Sequence, residues 1–337
     1  VLPLIDRIVN AKPDLIGFSC YMWNVNVFDE IAQVLRKRIP KAKIIWGGSE
    51  MSSDYLMQGK FDKLEMDFCV SGEGEVTFQE FLRNQAFGVP DLSNIPGLAY
   101  RQSTAEPFKI NPKREALEIL HDVPSPFLTG VVDDEVLLRP KVEANIETQR
   151  GCNLRCSYCT YHKDMDKITY SSLERVVSEV VYLVNKGVKR VRFVDANFSS
   201  DLNYSKEILR AFIQKRFELR LMFELIPGFI DEELATLFEE FSNLHPWNDI
   251  TLGVGVQSIK LETNKAMRRG IKIEKFDQTF ELIKKHNLFA KIDLIIGLPG
   301  ENLTDIEASL EYMMETVRFG QGHLLCFHVL RGLPGTE

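Results

Sequence analysis

The sequence predicts an α/β protein in which a partial Rossmann-like domain precedes a partial (β/α)6 TIM-like barrel. Three observations support this prediction. Short apolar runs alternate with amphipathic helical segments over residues 13–83, the alternation stops over 84–142, and a stricter alternation starts at Glu143. Such apolar runs are typical of buried parallel strands, and strands that alternate with helices indicate parallel sheets. We therefore expect a Rossmann-like domain at 1–83, a linker at 84–142 and a barrel at 143–337.

The first domain contains three predicted strands, which are Asp14–Cys20, Lys43–Trp46 and Met66–Ser71. Apolar residues recur at helical spacing between the first two strands, and Pro40 ends that helix. The β-α-β-α-β-α order predicts a doubly wound parallel sheet, in which ligands bind at the carboxyl ends of the strands. Prolines and glycines punctuate the linker that follows, where Gly97–Arg101 predicts one small β element and no core.

The barrel segment contains six predicted strands and five predicted helices. The strands are expected at about 143–149, 189–194, 219–225, 250–256, 289–296 and 323–329. The helices are expected at about 171–186, 204–215, 231–242, 273–286 and 303–318. Ser171 with Glu174, and Thr304 with Glu307, have the spacing of a capping box, which predicts the first turns of two helices. Five β-α units and a sixth strand predict a partial parallel barrel, whose active site lies at the carboxyl ends of its strands.

Composition places the chain among ordinary globular proteins. Of its 337 residues, 45% are hydrophobic and 26% are charged, which excludes disordered and collagen-like classes. The net charge of −7 argues against nucleic acid as a partner. The longest apolar runs, such as Ile292–Leu298, are shorter than the ~20 residues of a membrane span, so we expect no membrane partner and a cytoplasmic location. Because the first residue is Val1, we expect a piece of a longer protein, with parts of both domains missing.

The six cysteines fall into two groups. Three of them stand singly in apolar strand-like runs, where we expect buried, unreactive thiols; these are Cys20, Cys69 and Cys326. The other three form a C-x3-C-x2-C motif directly after the first barrel strand, where the active site is expected. They are Cys152, Cys156 and Cys159.

Three interpretations of this motif are open. Three free thiols would be exposed to oxidation. A structural zinc site would need a fourth ligand, which His162 can supply. A cubane iron–sulfur cluster on three cysteines would leave one iron open to a small molecule, because such clusters otherwise take four thiolates. S-adenosylmethionine (SAM) can chelate that iron through its amine and carboxylate, and it would then supply radical chemistry as a cofactor.

With Tyr158 before its last cysteine, the motif resembles the cluster loop of the radical SAM superfamily. The resemblance implies a [4Fe-4S] cluster on the three cysteines, which become the catalytic residues because the cluster cleaves SAM. Residues 191–198 resemble the DxNF segment of the cobalamin-linked branch of this family. That segment implies that Asp195 accepts a hydrogen bond from the SAM amine and that Asn197 belongs to the same site. A helix N-cap is the alternative role for Asp195.

Further barrel segments resemble the remaining SAM-binding elements of the family. Residues 253–258 resemble its ribose-binding strand end, which implies that Gln257 and Ser258 bind the ribose hydroxyls. Arg269 lies in a segment that resembles mxRG, and it is expected to face the SAM carboxylate or, alternatively, solvent at a helix end. Glu224, on the third barrel strand, is a candidate substrate contact, and a buried structural carboxylate is the alternative.

Residues 291–301 resemble the adenine-binding GxIxGxxE strand in its IxGLPGE form. The resemblance implies that Ile295 and Leu298 meet the adenine, together with Tyr158. Asp293 departs from the pattern because it stands where the pattern has Gly. Residues 330–336 resemble the PGT turn that follows the sixth strand of the family.

The first domain resembles cobalamin-binding domains, which often carry S-x-L ahead of a Gly-Gly pair. Here Ser19, Cys20 and Tyr21 precede Gly47 and Gly48 with that order and spacing. A segment that resembles D-x-V-x-x-GEGE adds two further implied cobalamin contacts, Gly72 and Glu73. Four apolar side chains could form a corrin pocket or ordinary packing; these are Phe18, Tyr21, Met22 and Trp23. A Rossmann module that has lost its ligand is the alternative for the whole domain.

Together these resemblances imply a cobalamin-dependent radical SAM enzyme that methylates an unactivated carbon through a 5′-deoxyadenosyl radical and methylcobalamin. The implied cofactors are a [4Fe-4S] cluster, SAM and cobalamin. The implied partners are a small-molecule or peptide substrate and an electron donor such as a flavodoxin or ferredoxin. Two alternatives stay open. One is a ring contraction, cyclisation or oxidative rearrangement without methyl transfer, and the other is a non-catalytic zinc or cofactor-binding module.

Overall fold

A computed structural model describes residues 1–88, 91–139, 141–161, 167–317, 323–333 and 336. The chain forms two compact units, and each is described here by itself. The first contains residues 1–117, 158–164 and 332–337, and the second contains 118–157 and 165–331. Among the helices of the described ranges, none is long and apolar enough to cross a membrane.

The first unit is built on a five-stranded sheet. Its strands are β1 Leu15–Ser19, β2 Lys43–Gly47, β3 Phe68–Val70, β4 Leu98–Tyr100 and β5 Lys109–Ile110. Its helices are α1 Leu2–Ala11, α2 Val25–Arg38, α3 Ser53–Met57 and α4 Gly74–Ala86. β1, β2 and β3 are parallel neighbours, and β4 and β5 add antiparallel strands at one edge. The strand order does not reverse within the described residues, so the doubly wound order that the sequence predicts is not found in this part of the chain.

Residues 84–142 are more than the linker that the sequence predicts. Leu98 and Ala99 of β4 are each 1% exposed and belong to the core of the first unit. The buried Arg101 donates to three backbone carbonyls in the turn before β3, and it thereby joins β4 to that turn. Within this segment, residues from 118 onward belong to the second unit. Proline and glycine mark a loop by composition, but they do not reveal two- and three-residue edge strands.

The expected burial of the single cysteines is confirmed for two of the three. Cys20 and Cys69 are fully buried in one core cluster with Trp46. Burial raises the pKa of the Cys20 thiol to about 12, so this thiol is unreactive at neutral pH. Cys326 is only partly buried because it lies on an edge strand of the second sheet.

The second unit contains a parallel sheet of six strands and a small antiparallel hairpin. The parallel strands are β6 Ala144–Ile146, β9 Arg190–Phe193, β10 Arg220–Leu225, β11 Asp249–Gln257, β12 Phe289–Ile296 and β13 Leu324–Val329. The hairpin strands are β7 Gln149–Arg150 and β8 Thr169–Tyr170. The helices are α5 Asp134–Leu137, α6 Leu173–Asn185, α7 Leu202–Gln214, α8 Glu232–Asn243, α9 Leu261–Ala266, α10 Ile273–Lys285 and α11 Leu303–Val317. The parallel strands lie in chain order, which is the order of a (β/α) barrel, so the predicted barrel of six strands is confirmed.

A cluster of phenylalanines fills the core between the barrel sheet and its helices. Phe223 of β10 lies 4.6 Å from Phe193 of β9 and 4.2 Å from Phe198, measured between ring centroids. Phe238 of α8 packs on Phe223 at 5.5 Å. These rings are fully buried, and each contributes about 1.5–3 kcal/mol through burial of its apolar surface. The core holds the strands in register and therefore fixes their carboxyl ends, where the candidate site lies.

Candidate active site

The cysteine loop leaves the barrel sheet through the β7–β8 hairpin. Gly151 follows β7 with φ +108°, and a Cβ at this position would lie 2.7 Å from the carbonyl oxygen of Lys167. Only glycine adopts this conformation without strain while it lets the two backbones approach so closely. The glycine before Cys152 therefore sets the direction in which the motif starts.

Each cysteine of the motif has a nearby donor. The Cys152 and Cys159 sulfurs accept hydrogen bonds from the backbone amides of Leu154 and Tyr161, both at 3.4 Å. Cys156 is 4% exposed, and its sulfur lies 3.5 Å from Nη1 of Arg269. Donors of this kind stabilise a thiolate, which is the form that binds metal. Burial raises the pKa of the Cys152 thiol, and the Leu154 amide partly offsets that effect.

No three His, Cys, Asp or Glu side chains of the described residues surround one point that a single metal ion could occupy. A cubane cluster makes a different demand, because each of its thiolates binds a different iron atom. His162, the fourth ligand of the zinc alternative, lies outside the described residues.

Asp195 stands at the carboxyl end of β9 and is 1% exposed. Its carboxylate accepts hydrogen bonds from the Thr148 amide at 2.7 Å, the Thr148 hydroxyl at 2.7 Å and the Gln149 amide at 3.0 Å. It therefore fixes the strand end from which the cysteine loop departs. The carboxylate does not cap a helix, because the next helix, α7, is capped by Asp201. Contact between Asp195 and the SAM amine remains a prediction.

Asn197 is also 1% exposed and holds two strand ends together. Its side-chain oxygen accepts a hydrogen bond from the Ile226 amide at 3.1 Å, and its backbone oxygen accepts one from the Gln149 side chain. Its Nδ2 has no hydrogen-bond partner in the described part of the chain. Asn197, two positions after Asp195, thus leaves one buried donor available at this edge of the sheet.

The end of β11 has the features of a ligand-binding turn. Gln257 adopts φ +68°, which is strained for a residue with a side chain, and the β11–β12 register shifts at this point. Ser258 is fully buried, and its hydroxyl bonds to Oε1 of Glu301. Oε1 of Gln257 and Oε2 of Glu301 are buried acceptors without a hydrogen-bond partner among the described residues.

Those two acceptors fit a ligand with hydroxyl donors. A buried acceptor without a partner costs about 1–3 kcal/mol, and a ribose diol would satisfy both. Burial raises the pKa of Glu301, which the Ser258 hydroxyl opposes. Glu301 is a site residue that the sequence reasoning did not single out. The last letter of the IxGLPGE segment was its only signal, and its closeness to Ser258 depends on tertiary structure.

Arg269 connects the cysteine loop to this strand end. It is 7% exposed, so the solvated alternative is wrong, and it donates to the backbone oxygen of Gly255. A Cβ at Gly255 would lie 3.3 Å from Nη2 of Arg269 and 2.8 Å from Nε2 of Gln257. Because Gly255 has no side chain, the Arg269 and Gln257 side chains can lie over the strand at this position. The SAM carboxylate as the ligand of Arg269 remains a prediction.

The other predicted SAM contacts differ in exposure. Ile295 lies partly exposed near the end of β12, whereas Leu298 in the following turn is 3% exposed. Tyr158 is half-buried. The side chain of Leu298 is in the core, so the contact that remains predicted is one between the backbone of Leu298 and adenine. Pro334 and Gly335 of the PGT turn lie outside the described residues.

Five of the seven predicted cobalamin residues stand at the carboxyl ends of β1 and β2, and these are Ser19, Cys20, Tyr21, Gly47 and Gly48. A Cβ at Gly48, where φ is +104°, would lie 2.5 Å from the Cys20 backbone oxygen, so this glycine is required where the two strand ends meet. Ser19 and Gly48 are exposed and Gly47 is half-buried, which suits contact with a ligand. The Cys20 side chain is instead in the core, so only its backbone faces Gly48, and its contact with cobalamin remains a prediction.

The three aromatic residues among the four apolar residues near β1 separate into two groups. Phe18 packs in the core against Phe28 at 5.0 Å and Trp46 at 5.5 Å, so it is not available to a corrin ring. Tyr21 and Trp23 stack in parallel with centroids 4.7 Å apart, and Trp23 is 72% exposed. This exposed stack is the aromatic surface that β1 offers to a flat ligand.

Gly72 and Glu73, the remaining predicted cobalamin residues, follow β3. Gly72 adopts φ +76°, and a Cβ there would meet open space. The Glu73 carboxylate accepts a hydrogen bond from the Leu117 amide at 2.8 Å, which gives it a structural role in the first unit. Their contact with cobalamin remains a prediction.

Family models match both parts of the chain. The B12 binding domain matches residues 3–82, and the Radical SAM superfamily matches residues 146–313. The chain is 28% identical to the cobalamin-dependent radical SAM methyltransferase TokK of Streptomyces tokunonensis, over 94% of this chain and 46% of that protein. It is 26% identical to a 2-(S-pantetheinyl)-carbapenam-3-carboxylate methyltransferase of Streptantibioticus cattleyicolor, over 96% of this chain and 48% of that protein.

Solved structures share the fold. The radical SAM methyltransferase TsrM from Kitasatospora setae, with cobalamin and a [4Fe-4S] cluster bound, superposes with a TM-score of 0.79 at 21% identity, over 99% of this chain and 67% of that chain. The cobalamin-dependent radical enzyme OxsB superposes with a TM-score of 0.73 at 18% identity, over 92% of this chain and 45% of that chain. The chain spans about half the length of the curated relatives it matches. The chain belongs to the radical SAM superfamily, in the branch that carries a cobalamin-binding domain ahead of the barrel.

Proposed function

We propose that this chain is the cofactor-binding part of a cobalamin-dependent methyltransferase that uses a radical to methylate an unactivated carbon. The observation that supports this most is the C-x3-C-x2-C loop, whose sulfurs are met by backbone amides and by Arg269. The two relatives that cover nearly all of this chain are methyltransferases, and the first is described as cobalamin-dependent. When bound, the cluster and SAM supply a 5′-deoxyadenosyl radical and cobalamin supplies the methyl group.

The residues of the barrel would hold and orient SAM. Gln257 and Glu301 offer buried acceptors to its ribose hydroxyls, and Arg269 offers a guanidinium to its carboxylate. Asp195 keeps the cysteine loop in place through Thr148 and Gln149. Cys152, Cys156 and Cys159 bind the cluster. In the first unit, Ser19, Gly47 and Gly48 leave room for cobalamin, with the Tyr21–Trp23 stack beside them.

The proposed reaction needs two further components. The substrate would be a small molecule or a peptide that presents an unactivated C–H bond. A one-electron donor such as a flavodoxin or ferredoxin would supply two electrons per turnover, one for cleavage of the SAM sulfonium and one to return cobalamin to the form that takes the next methyl group from SAM.

The products of SAM consumption test the proposal. The holoprotein is supplied with a reductant and SAM labelled in its methyl group, and a candidate substrate is added. A radical methylation gives S-adenosylhomocysteine, 5′-deoxyadenosine and labelled product in equal amounts. 5′-Deoxyadenosine with an unlabelled product favours the rearrangement alternative. One zinc and no sulfide per chain, with neither adenosyl product, would leave only the metal-binding module.

A further inference from the structure

The base of the cysteine loop is held by α7, a helix that none of the cofactor assignments uses. The loop leaves the second unit at β7 and returns at β8, and these two-residue strands pair antiparallel. One more backbone bond extends the pairing, from the Ser171 amide to the Thr148 carbonyl at 2.8 Å. A two-stranded hairpin is only marginally stable by itself in water. The base of the loop therefore needs support from another element.

Tyr204, in the first turn of α7, supplies that support. Its hydroxyl donates to the Ser171 carbonyl at 2.8 Å and lies 3.3 Å from the Thr148 carbonyl. These carbonyls belong to the two chains of the base, because Thr148 precedes β7 and Ser171 follows β8. Burial raises the pKa of Tyr204, so the phenol keeps its proton and stays a donor at neutral pH. One hydroxyl thus joins the point where the loop departs to the point where it returns.

The Tyr204 ring makes a second contact with the base of the loop. It packs edge-on against the ring of Tyr170 on β8, with centroids 5.2 Å apart and the two planes at 73°. The Tyr170 hydroxyl lies 3.3 Å from Oγ of Ser200, and the same Oγ bonds to the side chain of Gln149 on β7. Residues 200 and 204 therefore contact both strands of the hairpin.

This support differs from that given by the end of β9. The Asp195 carboxylate accepts from Thr148 and from the Gln149 amide, which lie on the departing side of the loop. Tyr204 reaches the returning side as well, at Ser171. The helix that carries Tyr204 begins at Leu202, a few residues after β9. The loop is therefore attached at both ends to the segment that follows the strand with the predicted SAM residues.

We propose that Tyr204 is a positioning residue for the iron–sulfur cluster, because its hydroxyl fixes both ends of the cysteine loop on α7. The hydroxyl acts through the backbone of Thr148 and Ser171. A loop held at one end can pivot about that end, whereas a loop held at both ends keeps its cysteines in one place. The ligands of a metal site depend on such supporting contacts for their geometry. This inference rests on the proposed function, because it takes the loop to hold a cluster that binds SAM.

Tyr204→Phe tests the hydroxyl, since it keeps the ring against Tyr170. Two measurements on the anaerobic holoprotein follow the change. Hydrogen exchange with mass spectrometry reports the amides of residues 149–161, which should exchange about fivefold faster when the loop opens more often. The cluster signal in electron paramagnetic resonance, titrated with SAM, reports binding at the cluster. The loss of one hydrogen bond should raise the SAM dissociation constant about fivefold, while iron and sulfide per chain stay unchanged.

Tyr312→Phe is the matched control. It also removes a half-buried hydroxyl, which bonds to Asp277 at 2.6 Å between α11 and α10, and it should leave both measurements unchanged. Unchanged loop exchange in Tyr204→Phe, unchanged SAM binding, or an equal change in the control would overturn the positioning role. Neither measurement needs turnover, so this failure is separate from that of the proposed function. Weaker SAM binding in Tyr204→Phe, in a protein that methylates no substrate, would uphold the positioning role and contradict the proposed function.

Discussion

Asp195 shows how a single buried carboxylate can organise the start of the cysteine loop. It is 1% exposed and accepts hydrogen bonds from two residues, Thr148 and Gln149. Burial raises its pKa to about 7, even though these donors oppose the shift. In the unfolded chain an aspartate titrates near 3.9. Between these two values the folded chain therefore holds a proton that the unfolded chain has lost.

The sign of the pH dependence follows from that difference. The contribution of Asp195 to stability is fully present below about pH 4 and is lost as pH rises through about 7. Asp195→Asn removes this titration. The unfolding free energy of the variant should therefore lack a component of up to about 1.4 kcal/mol per pH unit over that window. Urea unfolding at a series of pH values measures both proteins, and parallel profiles would contradict the assignment.

A second substitution at Asp195 separates charge from hydrogen bonding. Asp195→Ala leaves two backbone amides and one hydroxyl in the interior without their acceptor, at about 1–3 kcal/mol for each group. We expect it to be destabilised at every pH, whereas Asp195→Asn retains an acceptor oxygen for the amides. Equal stability of the two variants at pH 8 would show that the hydrogen bonds contribute little.

At the residue scale, the sequence locates the site but not its contacts. The cysteine motif and the Asp195 segment are local in the chain, so spacing alone identifies them. The partners of Asp195 lie 46 and 47 positions away, and no local pattern encodes them. The burial of the Cys20 side chain has a related reason. A motif gives the position of a residue, whereas the direction of its side chain depends on the sheet around it.

At the scale of elements, the two glycines at the end of β2 differ in whether they tolerate a side chain. Gly48 has φ +104°, and a Cβ there would lie 2.5 Å from a backbone oxygen. Gly47 has an ordinary φ, and a Cβ there would meet its nearest neighbour at 3.7 Å. Gly48→Ala should therefore destabilise the chain by about 3 kcal/mol and weaken cobalamin binding, because the junction of β1 and β2 must move. Gly47→Ala should change stability by less than about 1 kcal/mol.

Chemical unfolding and cobalamin titration of the two alanine variants measure these effects. Gly47→Ala serves as the control for stability, since both substitutions add one methyl group at adjacent positions. Similar stability of the two variants would contradict the close approach of the strand ends at Gly48.

Arg101 tests whether the predicted linker is part of the first fold. The side chain is 4% exposed and donates to backbone carbonyls in the turn before β3. Arg101→Met removes these donors and should destabilise the chain by about 2–4 kcal/mol. Gln102→Met, at the exposed neighbouring position, should have little effect. A thermal melt compares the two variants. An unchanged midpoint for Arg101→Met would show that this part of residues 84–142 is a linker that does not stabilise the first unit.

The strands and helices of the barrel were predictable because their apolar periodicity is strong. The residues at which they begin and end were less predictable. The sequence predicts Ser171 as a helix cap, whereas the Oγ of Ser172 accepts the bond from the Arg175 amide at 3.2 Å. At the start of α11, the side chain of Asn302, not Thr304, accepts from the Asp305 amide. Adjacent residues with similar side chains can each cap a helix. The position at which the chain leaves the sheet decides which of them does so.

At the scale of the whole molecule, cobalamin binding by the domain at residues 3–82 should not depend on the cluster. The first unit has its own cores, and the B12 binding domain match ends at residue 82, well before the cysteine loop. Replacing Cys152, Cys156 and Cys159 together by alanine should abolish iron and sulfide while leaving cobalamin binding within about twofold of the unchanged protein. Metal analysis and a spectroscopic cobalamin titration check this. Loss of both cofactors would show that cobalamin binding depends on the cysteine loop.

The order of domains was predictable from the sequence because strands and helices alternate within each domain and the alternation stops between them. The ion pairs of the barrel sheet were not predictable, because their partners lie on different strands. Glu224 of β10, the predicted substrate contact, pairs with Arg192 of β9 at 2.7 Å, and Asp293 of β12 pairs with His328 of β13 at 2.7 Å. Contact between Glu224 and a substrate remains a prediction. Alternation along one strand shows which residues of that strand share a face. Register between strands decides which residues meet, and register is a property of the folded sheet.

The most direct measurement is the electron paramagnetic resonance spectrum of the anaerobically reduced protein, before and after SAM is added. Three cysteines and an open iron predict about four irons and four sulfides per chain, a cluster signal, and a change in that signal when SAM binds. Cys156→Ala should lose the signal. A signal that SAM leaves unchanged would contradict the account, because it means that no iron of the cluster is open to SAM. About one zinc per chain without sulfide would also contradict it, because the three cysteines would then hold zinc and no cluster.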